Sequence, residues 1–112
     1  VASFRLATEE ALLNVQGDGN ISIPLDNQAT HFQVTIERVA SATGTLTFSV
    51  KGHPDASYEN LVDAATDTQK TILLTNGTTT FPIDKFFLSF LRVEPATVVG
   101  QYSVFVQQSY NT

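Results

Sequence analysis

The stretch Gly44-Thr-Leu-Thr-Phe-Ser-Val-Lys51 decides the fold class. Leu46, Phe48 and Val50 alternate with Thr45, Thr47, Ser49 and Lys51. Successive side chains of a strand point to opposite faces, so a period of two describes a strand with one buried face. The same alternation recurs on both sides of it. Phe32, Val34 and Ile36 alternate with Gln33, Thr35 and Glu37, and Tyr102, Val104 and Val106 with Ser103, Phe105 and Gln107. In the last segment Phe105 breaks the polar face.

Composition agrees with the periodicity. Thr, Val and Ile make up 31 of the 112 residues, with eight Phe and three Tyr beside them. β-branched and aromatic side chains fit a pleated surface better than a helix. Further strands are expected at Ser3 to Ala7 and Leu12 to Gln16, separated by Thr8-Glu9-Glu10, and at Asn20 to Leu25. Pro24 removes a ladder donor, which makes the last of these an edge strand or ends it there. Lys70 to Thr75 and Thr78 to Ile83 flank Asn76-Gly77, the strongest short hairpin signal in the chain. Phe86 to Val93 (FFLSFLRV) is apolar on both faces apart from Ser89 and Arg92. It reads as a central strand, or as a surface that meets a second copy in a dimer or trimer.

Turn signals at 17–20, 26–27, 41–44, 52–55, 76–77 and 94–100 recur at roughly ten-residue spacing, as in an all-β sandwich or barrel. One segment competes for helix: in Ser57 to Asp67, Tyr58, Leu61, Val62 and Ala65 could share a helical face, and Leu61-Val62 as a short strand is the rival. The reading is a single all-β domain over residues 1–112, with short terminal arms: an antiparallel two-sheet β-sandwich of about eight to ten strands. A chain of this mass should expose roughly 6,000 Å² folded against roughly 17,700 Å² unfolded, enough burial for one core.

Several function classes lose support. There is no Cys, hence no thiolate nucleophile and no Cys-ligated metal centre. Six Lys and Arg stand against eleven Asp and Glu, and Arg5, Arg38, Lys51, Lys70, Lys85 and Arg92 are scattered singly. Nucleic acids and anionic membranes both call for clustered cations, so neither is an expected partner. No apolar run approaches the ~20 residues of a membrane span. The first ten residues lack a signal-peptide layout, so a mature or nearly mature chain is expected.

The residues offer little for catalysis. His31 heads a strand and His53 sits among the turn formers of Gly52-His-Pro-Asp55, neither in a nucleophile or metalloprotease motif. The carboxylate pairs Glu9-Glu10, Asp55 with Glu59, and Asp63 with Asp67 fall in polar loops, and Glu94 reads as a surface residue at a strand end. Asp55, Glu59, Asp63 and Asp67 recur every four residues; on a helix they would repel unless a cation such as Ca²⁺ relieved them. A solvated acidic loop is the simpler reading. Asn76-Gly-Thr matches a glycosylation sequon, but the turn already explains it. No catalytic residue, cofactor or metal ligand is nominated.

The order GTLTFSVKGHPDASYENLVDAATD, KTILLTNGTTTFPID and FFLSFLRVEPATVVGQYSVFVQQ, from Gly44 to Gln108, resembles small β-sandwich structural proteins of tailed bacteriophages. Capsid decoration (cementing) proteins of jelly-roll type are the subset that fits the size. The likeness covers about 65 of the 112 residues as a pattern, without a diagnostic motif. It implies a jelly-roll-like, non-enzymatic virion protein on the outer capsid surface, with the major capsid protein lattice as its partner. Phe4, Arg5 and Tyr110, in the polar ends, are then candidate interface anchors, although Phe4 could equally enter the core. The runner-up is a carbohydrate- or receptor-binding module. With no Trp, its aromatic platform would rest on Tyr58, in the cross-over loop, and Tyr110.

Overall fold

Two strands of more than twenty residues organise the molecule. In the computed structural model, which describes residues 4–85 and 87–111 (side chains from residue 10 to 109), β3 spans His31–Lys51 and β9 spans Phe90–Asn111. They pair antiparallel from His31 opposite Ser109 to Lys51 opposite Phe90. A straight ladder of that length would measure roughly 70 Å at the usual strand rise, whereas the longest dimension of the molecule is 42 Å. The pair therefore folds over on itself. The bend lies where the register slips, between Val39 and Thr45 of β3. Four residues there hold positive φ: Ala40 (52°), Gly44 (129°), Thr97 (57°) and Gly100 (94°).

The shorter strands join the two halves of this folded ribbon. β1 (Phe4–Gln16) pairs with the C-terminal half of β9, and β2 (Ile21–Pro24) with its N-terminal half. β4 (Glu59–Asn60) and β7 (Thr71–Leu73) flank the C-terminal half of β3, and β8 (Thr79–Ile83) its N-terminal half. The first layer is thus β1, β9 from 101 onward, β3 up to Val39, and β8. The second is β2, β9 up to Val99, β3 from Thr43, and β7 with β4. A separate two-stranded ribbon joins β5 (Val62–Asp63) and β6 (Thr68–Gln69). The result is an all-β, antiparallel, jelly-roll-like sandwich of nine strands among the described residues.

The core fills the space between the layers. Phe32, Val34 and Ile36 face it from one half of β3, and Leu46, Phe48 and Val50 from the other, as their alternation predicts. In β9 the buried positions change parity across the bend: Leu91 and Val93 before it, Tyr102, Val104 and Val106 after it. The one-residue register slip reconciles the two strands. Ile36 opposite Val104 in one layer and Phe48 opposite Val93 in the other are both inward pairs. Phe48 of the second layer meets Phe81 of the first edge-on, with ring centroids 5.0 Å apart. Burying each ring contributes about 1.5–3 kcal/mol, and the edge-to-face pairing about 1 kcal/mol more. The accessible surface, 6212 Å², matches the scaling expectation.

Several local expectations are corrected. Ser3 to Ala7 and Leu12 to Gln16 are not two strands: Thr8-Glu9-Glu10 continues β1, with irregularities at Leu6/Thr8 and Leu12/Val15. The turn signals at 41–44 and 94–100 lie inside β3 and β9, as the bend. Asn76-Gly77 closes no hairpin. β7 and β8 pair with different halves of β3, in different layers, and a 3-10 turn, Leu74–Asn76, carries the chain across with Leu74 fully buried. Phe86 lies outside the described residues; Phe87 is exposed in a loop, and the strand begins only at Phe90. No helix forms at Ser57 to Asp67. Leu61 faces the core while Val62 is exposed, and Asp63 accepts the backbone N–H groups of Thr66 and Asp67 in a tight turn. Pro24 does end an edge strand, β2, as expected.

Candidate functional site

Tyr58 does not present a free ring. It precedes β4 in the segment that wraps the edge of the second layer and reaches back over that layer's outer face. Alternation puts Ser22, Phe90, Arg92, Glu94, Thr47, Ser49 and Lys51 outward there. The Arg92 guanidinium carbon lies 4.3 Å from the Tyr58 ring centroid and Lys51 Nζ 4.8 Å from it. The phenol donates to Ser22 Oγ at 2.8 Å. Two cations and a hydroxyl thus hold the ring, and through it they fasten the wrapping segment to the layer. The side chains of Phe4, Arg5 and Tyr110 lie outside the described residues. Their backbones pair within the β1–β9 ladder, Phe4 opposite Asn111 and Arg5 opposite Tyr110.

Beside Tyr58 lies a cluster that the sequence reading missed. Glu94 is not a free surface carboxylate. Its Oε2 lies 2.7 Å from an Arg92 terminal nitrogen, and its Oε1 accepts from Gln69 Nε2 at 2.9 Å and Ser49 Oγ at 3.1 Å. Gln69 Nε2 also donates to the Phe48 carbonyl at 3.0 Å, so the amide ties β6 to β3 and β9 together. Burial works to raise the Glu94 pKa, but the hydrogen bonds from Gln69, Ser49 and Arg92 and the Arg92 charge outweigh it, so the carboxyl lies below its ordinary value. This is a fastening: the carboxylate, the Gln69 amide and the Ser49 hydroxyl bond to one another, while the buried Arg92 Nε has no hydrogen-bond partner among the described residues. The available signal was Arg92 and Glu94 two apart on one strand face.

The bend also presents apolar surface. A cleft of about 360 Å³ opens there, lined by Gln16, Val39, Ala40, Ser41, Val99 and Gln101 among others. Val99 is 68 % exposed, and Leu13, three residues before Gln16 on β1, is 64 % exposed. None of the lining side chains is charged. The nearby charged groups are engaged in holding the bend: Arg38 Nε donates to the Ala42 carbonyl at 2.7 Å, and Asp18 Oδ1 accepts the Val98 N–H at 2.8 Å. Apolar side chains are therefore presented on a backbone fixed by bulges, positive φ and two charge-assisted hydrogen bonds.

The remaining candidates take structural places. His53 Nδ1 accepts from the Asp55 N–H at 3.1 Å, and its carbonyl from the Ala56 N–H, as a turn residue would. His31 opens β3, exposed, with Nδ1 3.0 Å from Thr30 Oγ1. Asp63 pairs with Lys70 and Glu59 with Lys85, so the acids spaced for a helix face cations or turn backbone instead of one shared helical face. Among the described residues no three His, Asp or Glu side chains gather into a cation site. No protein-family model matches the chain, and no curated protein is significantly similar to it.

Proposed function

We propose that this chain is a virion structural protein of the capsid-decorating type, which docks bend-first on the outer surface of an assembled shell and bridges its subunits. The observation that carries the reading is the bend, where Val99 stands exposed in a cleft whose lining carries no charged side chain. A preformed apolar contact binds without an ordering cost. A domain that binds the assembled lattice better than separate subunits stabilises the assembly by that difference in affinity. If it touches two subunits, the second contact is intramolecular and adds further. The net charge of −5 suits the outside of a shell better than a nucleic-acid-filled interior. The resemblance over Gly44 to Gln108 points the same way.

Cosedimentation tests the reading, using shells assembled from the major capsid protein encoded in the same genome. The protein is expected to pellet with assembled shells and to stay in the supernatant with unassembled capsid protein. Val99→Asp places a charge in the contact and should weaken the association at least about tenfold, while urea unfolding of the variant stays close to wild type. Equal binding of Val99→Asp and wild type, or no binding to shells, overturns the proposal.

A further inference from the structure

The outer face of the first layer carries a second arrangement, distinct from the bend. Gln33 of β3 stands opposite Gln107 of β9 on one side and Pro82 of β8 on the other. One row further along, Thr35 stands between Phe105 and Thr80, with the two threonine hydroxyls 3.0 Å apart. Gln33 and Gln107 are exposed, and Phe105 is half-buried on the same outward face. A cleft of about 410 Å³ opens over the first row, walled by His31, Gln33, Pro82, Gln107 and Ser109.

We infer that this face binds a neutral oligosaccharide, laid across the Gln33–Gln107 pair and the Phe105 ring. Each sugar hydroxyl both donates and accepts, and a glutamine amide offers two donors and one acceptor. Directly opposed residues of an antiparallel pair hold their Cβ atoms about 5 Å apart, so the two amides converge on one ligand. Phe105 supplies what amides lack, an apolar face for the C–H side of a pyranose, one strand row away. The cleft walls contain no Lys, Arg, Asp or Glu, with His31 their one titratable side chain, and Glu9 of β1 holds the register position opposite Gln107 on its other side, so the row offers no cationic cluster to a phosphate backbone. A peptide added as a strand needs a free edge. Here β3 and β9 are each hydrogen-bonded on both sides, by β8 and β1 as well as by each other.

The inference is independent of docking at the bend and concerns another face. It is tested by titrating the full chain, labelled with ¹⁵N, with maltotriose, cellotriose and chitotriose, and with a sulfated trisaccharide as the charged comparison. At least one neutral trisaccharide should shift the side-chain amide signals of Gln33 and Gln107. The double variant Gln33→Ala with Gln107→Ala should lose about tenfold or more in affinity. Phe105→Leu, which keeps the bulk and removes the ring, should lose several-fold, while Thr75→Ala, away from the face, should bind as wild type. Each variant is first checked for an unchanged urea midpoint. The inference is overturned if no neutral sugar shifts either amide, if the variants bind as wild type, or if only the sulfated sugar binds.

Discussion

Gly44 and Val98 approach each other across the bend so closely that a Cβ on Gly44 would lie 2.7 Å from Val98 Cα and 2.9 Å from its Cγ2. Gly44 also holds φ at 129°, where L side chains are strained. Space and conformation both exclude a side chain at the place where the two long strands fold over.

Gly44→Ala should therefore cost about 2–5 kcal/mol, from backbone strain and overpacking against a backbone atom that has no room to retreat. Gly17 provides the control: its φ is 83°, yet nothing lies within 4 Å of a Cβ built there. Gly17→Ala should cost only about 1–2 kcal/mol. Urea unfolding of the two variants measures the difference, and equal losses would contradict the close approach.

Tyr102 is fully buried, and its hydroxyl has no hydrogen-bond partner among the described residues. Burial, with the Asp18 charge adding to it, pushes the phenol up to about 12. A buried hydroxyl left unpaired costs about 1–3 kcal/mol. Tyr102→Phe removes that cost and keeps the ring, so the variant should be as stable as wild type or more stable by up to about 1 kcal/mol. Tyr102→Ala, which opens a cavity, should lose about 3–5 kcal/mol. A marked destabilisation in the Phe variant would mean that the hydroxyl is satisfied.

Acid should loosen the fastening on the second layer. The Glu94 carboxyl titrates below its ordinary 4.5 when folded, so folding favours its ionised form. That contribution is fully present above the ordinary value and is lost as pH falls through the lowered one. Glu94→Gln should accordingly be less stable than wild type at pH 7, and the gap should close steadily below about pH 4.5. Urea midpoints of both proteins across this range test the expectation; a gap independent of pH would refute the assigned charge.

Much of the fold was legible because burial writes itself into a period of two. Phe32, Val34, Ile36, Leu46, Phe48 and Val50 all face the core as their alternation predicts. The errors concentrate where the chain changes direction. Asn76-Gly77 carries the local preferences of a hairpin, yet its flanking strands pair elsewhere, so a change of layer used the same residues. Tyr58 was visible as an aromatic in a polar segment, but the cations on its ring come from Lys51 and Arg92, seven and thirty-four residues away. Nothing along the chain separates Val99, exposed at the bend, from Val93, buried six residues earlier.

Residue order alone settled the strand character, the inward faces and the scarcity of catalytic groups, because side-chain alternation and composition are local properties. Which turn signals end a strand and which merely bend one was decided by long-range pairing. A positive φ at Ala40, Thr97 or Gly100 serves a reversal or a bulge equally well, and the conformation carries no record of its partner. Only after β3 and β9 paired along their whole length did the signals at 41–44 and 94–100 become one shared bend. That pairing also left Val99 facing outward, and brought Gln33, Gln107 and Phe105 onto one surface.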